Sequence, residues 1–359
     1  MKPGLYRSML VGMLVLSTIG LGAIARTQPA RPDVTTLVAA TSSAKSSFAA
    51  SALAGTTTSD EIVAWRGSQL ANLTLADSAV SERLTATTLQ ALNGPHALAI
   101  GRRGRILAAV GSTVQLFDSG GKAIRSFPIP FSESIASIPN GDFAVASPNV
   151  NGLIHIYSTF GAQRGHIGRL KDFDRDRREN MFLNRGIILA GPDDTYVYVF
   201  ANAPRPTVQQ FRADGSVLSE FEIGGASLDA HLEEARRFLD TRMPDDVGGF
   251  TPILAADLAS ARGTVLIATT ARQSGWESVY EYALDGTKIA EYRFALRDGT
   301  IIERLTDLVV RDNRLVLSGT DGRVHTFKLP VRTPFERPLR IVKYGMGHLQ
   351  HLASQLSPQ

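Results

Sequence analysis

Five charged or titratable side chains stand close before short apolar runs, at corresponding places along the chain. They are His96, Glu133, Arg185, Glu303 and Arg304. If the fold brings them together, two carboxylates, two guanidiniums and one imidazole can bind an anionic or zwitterionic ligand. They could also carry out acid–base chemistry if a metal ion were present. The competing interpretation is that these side chains form structural salt bridges between neighbouring parts of the fold.

The same positions before the apolar runs could form a metal site only with oxygen ligands. Glu133, Asn184 and Glu303 are the one set that the sequence offers. Carboxylate and amide oxygens are hard ligands that suit Ca²⁺ or Mg²⁺. We expect no resident cofactor, and Ca²⁺ or Mg²⁺ is the alternative if this set assembles.

Other enzyme signatures are missing from the sequence. It contains no G-x-S-x-G elbow, no P-loop and no H-E-x-x-H pair, so serine hydrolase, NTPase and zincin chemistry are disfavoured. It also has no cysteine, which excludes disulfides, thiolate metal sites and a cysteine nucleophile. The sequence therefore leaves the identity of any catalytic residue unknown.

Composition indicates a folded chain rather than a disordered or nucleic-acid-binding one. Of 359 residues, 43% are hydrophobic and 20% charged, and the formal net charge is only +4. Such a chain can bury a sizeable core. Its short basic clusters alternate with acidic residues or stand alone, so we expect no nucleic-acid partner.

The N-terminal segment has the three-part pattern of a signal peptide. Lys2 and Arg7 form a basic start, residues 9–24 form an uncharged and mostly apolar run, and 23–25 read Ala-Ile-Ala. Residues 1–25 are thus predicted to be a signal peptide or an uncleaved anchor, which places the body in the periplasm or outside the cell. Residues 26–60 are rich in Ala, Ser and Thr and predict a disordered, flexible linker. The N-terminal segment is the only membrane tether that we expect.

A strand and turn pattern recurs through the remaining chain. Five times a β-branched residue precedes an aromatic residue by three positions, and the aromatic residues are Phe117, Tyr157, Phe211, Tyr282 and Phe327. In the first four copies a glycine follows the aromatic residue by four positions, namely Gly121, Gly161, Gly215 and Gly286. A strand, a glycine turn and a second strand are therefore predicted four times.

Two further short apolar runs precede each of these hairpins, so each module offers up to four strands. Four antiparallel strands repeated about every 40 to 50 residues are typical of β-propeller blades. The longest interval contains Leu228, Leu232 and Leu239 at helical spacing, which predicts an amphipathic helix inserted over 227–241. We expect a sixth, composite blade, built from 62–65 and 83–89 near one end and from 339–344 near the other.

The first module resembles a known repeat. Residues 95–100, 104–107 and 114–127 provide a Pro-led inner strand, a turn, and an outer hairpin with aspartate, glycine and a closing aromatic residue. This arrangement resembles the NHL-type repeat of six-bladed β-propellers. The resemblance implies an all-β fold of six four-stranded blades over 61–345, followed by a tail over 346–359. Propellers of this superfamily include lactonases, lyases and binding scaffolds, so the resemblance does not select a function.

The sequence thus predicts an exported β-propeller that acts as a ligand- or protein-binding module in the cell envelope. Its partner would be a protein or a small molecule outside the cytoplasm. The inserted helix and the loop 171–184 are the expected contact surfaces, because function in repeat folds concentrates on loops. The alternative is a metal-dependent, lactonase-like hydrolase or lyase that uses the rim of the central channel.

Overall fold

The computed structural model describes 34–39, 41–42, 50–55, 61–66, 69–75, 80–88, 95–241, 251–270, 277–302, 304–311 and 313–331. Over these residues the chain forms six β-sheets arranged as the blades of a propeller, as the sequence predicts. No helix in this part of the chain is long and apolar enough to cross a bilayer.

The strands follow the blades in chain order. Ahead of the blades lie β1 (Val34–Val38) and β2 (Thr41–Ser42). Blade 1 contains β3 (Ala50–Gly55), β4 (Glu61–Arg66), β5 (Gln69–Leu75) and β6 (Val80–Thr88). Blade 2 contains β7 (Ala97–Ile100), β8 (Ile106–Val110), β9 (Thr113–Phe117) and β10 (Ala123–Pro128). Blade 3 contains β11 (Ser134–Ser137), β12 (Phe143–Asn149), β13 (Gly152–Tyr157) and β14 (Gln163–Ile167).

The second half of the ring carries the helices. A short helix, α1 (Arg177–Leu183), precedes blade 4, and a longer one, α2 (Ala226–Thr241), precedes blade 5. Blade 4 contains β15 (Gly186–Ala190), β16 (Thr195–Phe200), β17 (Thr207–Arg212) and β18 (Val217–Glu222). Blade 5 contains β19 (Ile253–Ala259), β20 (Thr264–Thr269), β21 (Ser278–Ala283) and β22 (Lys288–Ala295). Blade 6 contains β23 (Leu305–Arg311), β24 (Arg314–Gly319) and β25 (Val324–Lys328).

The ring closes through inner strands and through the N-terminal segment. Each inner strand contacts the next one around the channel, and β23 of blade 6 contacts β3 of blade 1. The short strand β2 pairs antiparallel with β25 and supplies the fourth strand of blade 6. The strand β1 pairs parallel with β22 and adds a fifth strand to blade 5. Because these pairings join chain segments far apart in sequence, opening the ring breaks a sheet rather than a side-chain contact alone.

Two predictions about the N-terminal region differ from the structure. Strands β1, β2 and β3 lie within 26–60, so the folded body begins before residue 61. Residues 50–88 form a complete blade alone, and the composite blade is blade 6. The predicted strand over 339–344 lies outside the described residues. Local sequence missed these strands because Ala- and Thr-rich segments show no clear period, whereas a neighbouring sheet edge provides the hydrogen bonds that order them.

The predicted hairpins are confirmed, and two of their glycines, Gly161 and Gly286, have a packing role as well as a turn role. All four glycines have positive φ, from 81° at Gly121 to 92° at Gly286. A Cβ on Gly161 would lie 2.2 Å from Cδ1 of Phe127, and one on Gly286 would lie 2.7 Å from Cβ of Phe221. In these two cases the closing aromatic residue of one blade, Phe127 or Phe221, packs directly on the hairpin glycine of the next blade.

The junction of blades 5 and 6 holds a buried ion pair. Glu281 is fully buried, and its carboxylate accepts from Nε of Arg262 at 2.9 Å and from Nη2 at 3.2 Å. The hydroxyls of Thr264 and Tyr292 also donate to it, at 3.0 and 2.6 Å. Arg262 reaches across to blade 6, where Nη1 donates to Oδ1 of Asn313 at 2.7 Å. Every oxygen of the carboxylate is thus satisfied, as a buried charge requires.

Candidate functional site

The two faces of the propeller differ in what they carry. We call upper the face where the inner strands begin and lower the face where they end. Both helices stand in connections that lead into inner strands, so both lie on the upper face. α2 is anchored there by Leu228 and Leu232, which are buried in the core between blades 4 and 5. The lower face carries short turns.

The two predicted contact surfaces, the loop 171–184 and the helix α2, meet on the upper face. Nη2 of Arg175, in the loop 171–184, lies 2.7 Å from Oδ1 of Asp240 near the end of α2. Nζ of Lys171 lies 2.7 Å from Oε1 of Glu220 at the outer edge of blade 4. The loop and the helix therefore contact each other on the upper face.

Three of the predicted rim residues come together at the upper mouth. Nε of Arg185 lies 3.2 Å from Oε1 of Glu133, which joins blades 3 and 4. Nε2 of His96 forms a hydrogen bond with the backbone oxygen of Ser132, which joins blades 2 and 3. The Glu133–Arg185 contact is the inter-blade salt bridge of the competing interpretation, although both side chains remain about one-third exposed.

Of the other two predicted rim residues, only Arg304 is described, and it stands at the start of blade 6. Glu303 lies outside the described residues. Arg304 stands on blade 6 beside Glu277, whose carboxylate accepts from the backbone N–H of Leu305. Burial raises the pKa of Glu277 to about 7, against the lowering effects of that hydrogen bond and of Arg304. No pattern in the sequence singles out Glu277.

Asn184 has a structural place in this part of the chain. Its side chain is fully buried; Oδ1 accepts from the N–H of Lys171, and Nδ2 donates to the carbonyl oxygens of Lys171 and Asn180, each at 2.8 Å. The amide closes the loop 171–184 onto the start of blade 4.

Of the predicted metal ligands, Glu133 faces the mouth but is paired with Arg185. Over the described residues, no group of three or more His, Asp or Glu side chains is placed to hold a metal, and a Ca²⁺ or Mg²⁺ site remains a prediction.

The channel itself is a cavity of about 280 Å³ lined by all six inner strands. Two carboxyl groups that the sequence pattern did not predict as site residues line it, Asp257 on β19 and Asp307 on β23. The only sequence signal for them is an aspartate inside an otherwise mostly apolar inner strand. At the lower end, Nη1 of Arg311 lies 3.9 Å from Oδ2 of Asp257. Its guanidinium occupies the space that a Cβ on Gly55 would need, since Nε would be only 2.0 Å away.

These aspartates connect neighbouring blades. Oδ2 of Asp257 accepts from the N–H of Val310 at 2.8 Å, and Oδ2 of Asp307 accepts from the N–H of Leu53 at 2.6 Å. An inner strand is a sheet edge with unpaired N–H groups, so an acceptor from the next blade stabilises it. Burial raises the pKa of Asp257 and raises that of Asp307 to about 7. The carboxyl groups of Asp257 and Asp307 therefore have a structural role, because each bonds to the inner strand of the next blade.

A second cavity lies at the upper mouth between blades 2 and 3. It measures about 310 Å³ and is lined by His96, Gly111, Ser112, Pro130, Phe131, Ser132 and Glu133. Phe131 is 60% exposed and has a φ of 57°, a left-handed conformation that bulky residues rarely adopt. Ser132 is only 1% exposed, and its hydroxyl has no hydrogen-bond partner among the described residues. Sequence patterns carry no signal for either feature.

The loop that presents Phe131 is held on both sides. The N–H of Ile129 donates to the carbonyl of Ser112 at 3.0 Å, and Oγ of Ser147 donates to the carbonyl of Pro130 at 2.7 Å. The N–H of Glu133 donates to the carbonyl of Ala146 at 2.8 Å. An exposed aromatic ring is therefore displayed by a backbone that is tied to blades 2 and 3.

Comparison with known proteins defines the fold and not the activity. No protein-family model matches the chain, and no curated protein matches it either. Among solved structures, hydrazine synthase from Kuenenia stuttgartiensis matches with a TM-score of 0.51 and 11% identity, over 80% of this chain and 98% of that one. Virginiamycin B lyase from Staphylococcus aureus matches with a TM-score of 0.48 and 10% identity, over 79% and 96%. A catalytically inactive variant of a Staphylococcus aureus virginiamycin B lyase with quinupristin matches with a TM-score of 0.49 and 10% identity, over 80% of this chain and 98% of that one.

At such low identity, likeness between structures is evidence of shared architecture alone. The sheet order, the closed ring of inner strands and the match to hydrazine synthase agree on that architecture. The chain is a six-bladed β-propeller.

Proposed function

We propose that this chain is an exported β-propeller that acts as a binding module, with its ligand at the upper mouth of the channel against Phe131 and Ser132. The observation that carries the proposal is Ser132, a residue that lines the cavity and whose buried hydroxyl has no partner among the described residues. An unsatisfied buried hydroxyl costs about 1 to 3 kcal/mol. A ligand that hydrogen-bonds to it would remove that cost on binding.

The neighbouring groups indicate the class of ligand. Phe131 offers an exposed ring for an apolar group, and aromatic side chains provide large contact area at low entropic cost. Glu133 can receive an ammonium group, while Arg185 and His96 can face a carboxylate. A small zwitterion with an apolar side chain fits this set, so we propose an amino acid or a short peptide.

Export rests on the N-terminal sequence pattern. The basic residues Lys2 and Arg7 followed by the apolar run 9–24 support secretion or anchoring. Cell fractionation of the producing organism, with sequencing of the mature N-terminus, tests this part independently. Recovery of the chain from the cytoplasm with residues 1–25 intact would contradict it.

The contacts at the mouth support binding over the metal-dependent alternative. The amide of Asn184, one of the three proposed metal ligands, is engaged by its own loop and would have to break those hydrogen bonds before it could bind an ion. The proposed amino acid or short peptide makes no such demand on Asn184. Elemental analysis beside thermal melts with and without Ca²⁺ or Mg²⁺ tests the alternative; a stoichiometric ion that raises the melting temperature would favour the hydrolase or lyase.

The binding proposal is tested by isothermal titration with glycylphenylalanine, using glycylalanine as the matched ligand. We expect Phe131→Ala to weaken glycylphenylalanine binding about tenfold, in line with the loss of one aromatic contact, and to affect glycylalanine less. Ser132→Ala should weaken both ligands. Phe160→Ala is the control, because Phe160 is also exposed, at 74%, but lies in a lower-face turn.

Two results would contradict this assignment. One is that the wild-type protein binds neither dipeptide saturably. The other is that Phe160→Ala weakens glycylphenylalanine binding as much as Phe131→Ala does.

A further inference from the structure

The lower face contains three equivalent turns with different charges. They join the first and second strands of blades 2, 3 and 4 over 101–105, 138–142 and 191–195. In each, the N–H of the first residue donates to the carbonyl of the fifth, at 2.7, 2.9 and 2.8 Å. The same backbone hydrogen bond therefore closes all three turns, and the side chains that the turns present differ.

In blade 2 the turn carries three arginines, Arg102, Arg103 and Arg105. The corresponding positions hold Pro, Asn and Asp in blade 3 and Pro, Asp and Thr in blade 4. Within the part of the chain that the structure describes, the three guanidiniums form no ion pair and no hydrogen bond. Three unpaired like charges on one five-residue turn repel one another, and a bound anion would relieve that repulsion.

The backbone of this turn adds a second unusual feature. Arg103 has a φ of 62°, and the corresponding Asp193 of blade 4 has a φ of 55°. Aspartate tolerates this left-handed region because its short side chain bonds locally, whereas a long arginine side chain gains no such compensation. An arginine kept in this conformation at an exposed turn points to a role for its guanidinium.

The arginines face a cavity of about 220 Å³ between blades 2 and 3. Its polar lining consists of Arg102, Arg103, Arg105, Ser137, Asn140 and Thr159. Its apolar lining includes Leu107 and Phe143, which are both buried. The cavity therefore combines guanidinium and hydroxyl donors with an apolar floor.

The nearby carboxylates are already engaged. Oδ2 of Asp142, on the corresponding turn of blade 3, lies 3.2 Å from Nε of Arg164 and accepts from Nδ2 of Asn140 at 3.3 Å. Oδ1 of Asp118, on the next lower-face turn of blade 2, accepts from two backbone N–H groups of its own turn, at 3.0 and 2.8 Å. Neither side chain forms an ion pair with the arginine turn.

We propose that this cavity binds a phosphate monoester, with the phosphate at the arginine turn and the apolar part of the ester against Leu107 and Phe143. Guanidinium forks match phosphate oxygens in bidentate geometry, and more than one fork suits a dianion. The hydroxyls of Ser137 and Thr159 can donate to the remaining oxygens. The same chemistry is present in a free phosphorylated metabolite and in a lipid headgroup, so the experiment must separate the two sources.

The test measures binding of phenyl phosphate and of inorganic phosphate to the full protein by isothermal titration. We expect phenyl phosphate to bind saturably and more tightly than inorganic phosphate, because only phenyl phosphate reaches the apolar floor. Arg103→Gly should weaken phenyl phosphate binding at least about tenfold. Glycine accepts the positive φ, so the melting temperature should stay the same or rise, which separates loss of the site from loss of the fold.

Arg212→Gln is the matched control, since it removes one positive charge from another exposed turn, in blade 4. Vesicles of phosphatidylcholine with and without phosphatidic acid distinguish the sources. Binding to the phosphatidic acid vesicles that is lost in Arg103→Gly assigns a lipid headgroup, and binding of phenyl phosphate alone assigns a soluble ester. The proposal is overturned if phenyl phosphate does not bind saturably, or if Arg103→Gly and Arg212→Gln reduce its binding equally.

Discussion

The junction between blades 5 and 6 and the junction between blades 2 and 3 use charged residues in opposite ways. At the first, Glu281 and Arg262 are buried and bonded to each other and to Thr264 and Asn313. At the second, Arg103 projects unpaired from a strained turn on the lower face. The same propeller thus buries fully paired charged side chains in one junction and exposes an unpaired charged side chain at another. The paired side chains hold the blades together, and the unpaired guanidinium is accessible to ligands.

The largest effect is expected at the buried ion pair. Glu281→Gln should lower the free energy of unfolding by about 3 to 5 kcal/mol, because it leaves the charge of Arg262 buried and uncompensated. Chemical denaturation measures this. Glu222→Gln, in which an exposed carboxylate near Arg205 is neutralised, should stay within about 0.5 kcal/mol of wild type. Equal effects of the two substitutions would refute the structural role of the buried pair.

The second prediction concerns the pH dependence of stability that arises from Asp307, the channel aspartate of blade 6. The pKa of Asp307 is raised from 3.8 to about 7 in the folded protein, so the folded state binds its proton more tightly than the unfolded state. This contribution to stability is complete below about pH 4 and is lost as the pH rises towards 7. The loss amounts to at most about 1.4 kcal/mol per pH unit.

Denaturation of wild type and Asp307→Asn between pH 4 and 8 measures that contribution as the difference between the two curves. The comparison is needed because burial lowers the pKa of His155 and His325. These histidines act in the opposite direction, since their neutral forms stabilise the folded state as the pH rises through their ordinary value near 6.5. Parallel curves for the two proteins would show that Asp307 does not titrate in this range.

The third prediction addresses the strained loop between blades 2 and 3. Phe131→Gly should leave the free energy of unfolding unchanged or raise it by up to about 1 kcal/mol, because glycine adopts the positive φ without penalty. Phe127→Ala in the same blade should instead lose about 3 kcal/mol or more, since its ring is buried against Gly161. Destabilisation by Phe131→Gly similar to that by Phe127→Ala would show that the exposed ring packs as part of the fold.

The smallest effect is expected at the channel mouth. The Glu133–Arg185 ion pair is about one-third exposed, so a double-mutant cycle with Glu133→Gln and Arg185→Gln should give a coupling energy below about 1 kcal/mol. Added salt should reduce it further. A coupling of several kcal/mol would instead make this pair a second structural junction and remove it from the proposed ligand site.

The parts of the fold that were predictable are those with local causes. The glycine four residues after each aromatic residue predicts a tight hairpin because positive φ is a local requirement, and Gly121 through Gly286 all show it. The helix α2 follows from leucines at helical spacing. The fifth copy lacks the hairpin glycine, and the structure gives the reason: the fourth strand of that blade is β2, from the start of the chain.

The site was less predictable because it depends on distances between blades. Position before an inner strand was enough to group His96 with Glu133 and Arg185 at one mouth. It could not show that the amide of Asn184 is used by its own loop, nor that Asp307 accepts from the N–H of Leu53, 254 positions away.

The repeated hairpin and the inserted helix follow from the sequence alone, because each reflects local conformational preference and periodic burial. The count of six blades rested on the resemblance to six-bladed β-propellers and on the expectation that a composite blade closes the ring. The tertiary structure decided how the ring closes and which polar groups remain free. Ring closure pairs β2 with β25 only when two remote segments meet. Whether Ser132 and Arg103 have partners depends on the residues that neighbouring blades bring beside them. Hydrogen-bond satisfaction is a property of three-dimensional neighbours, and residue spacing along the chain does not specify it.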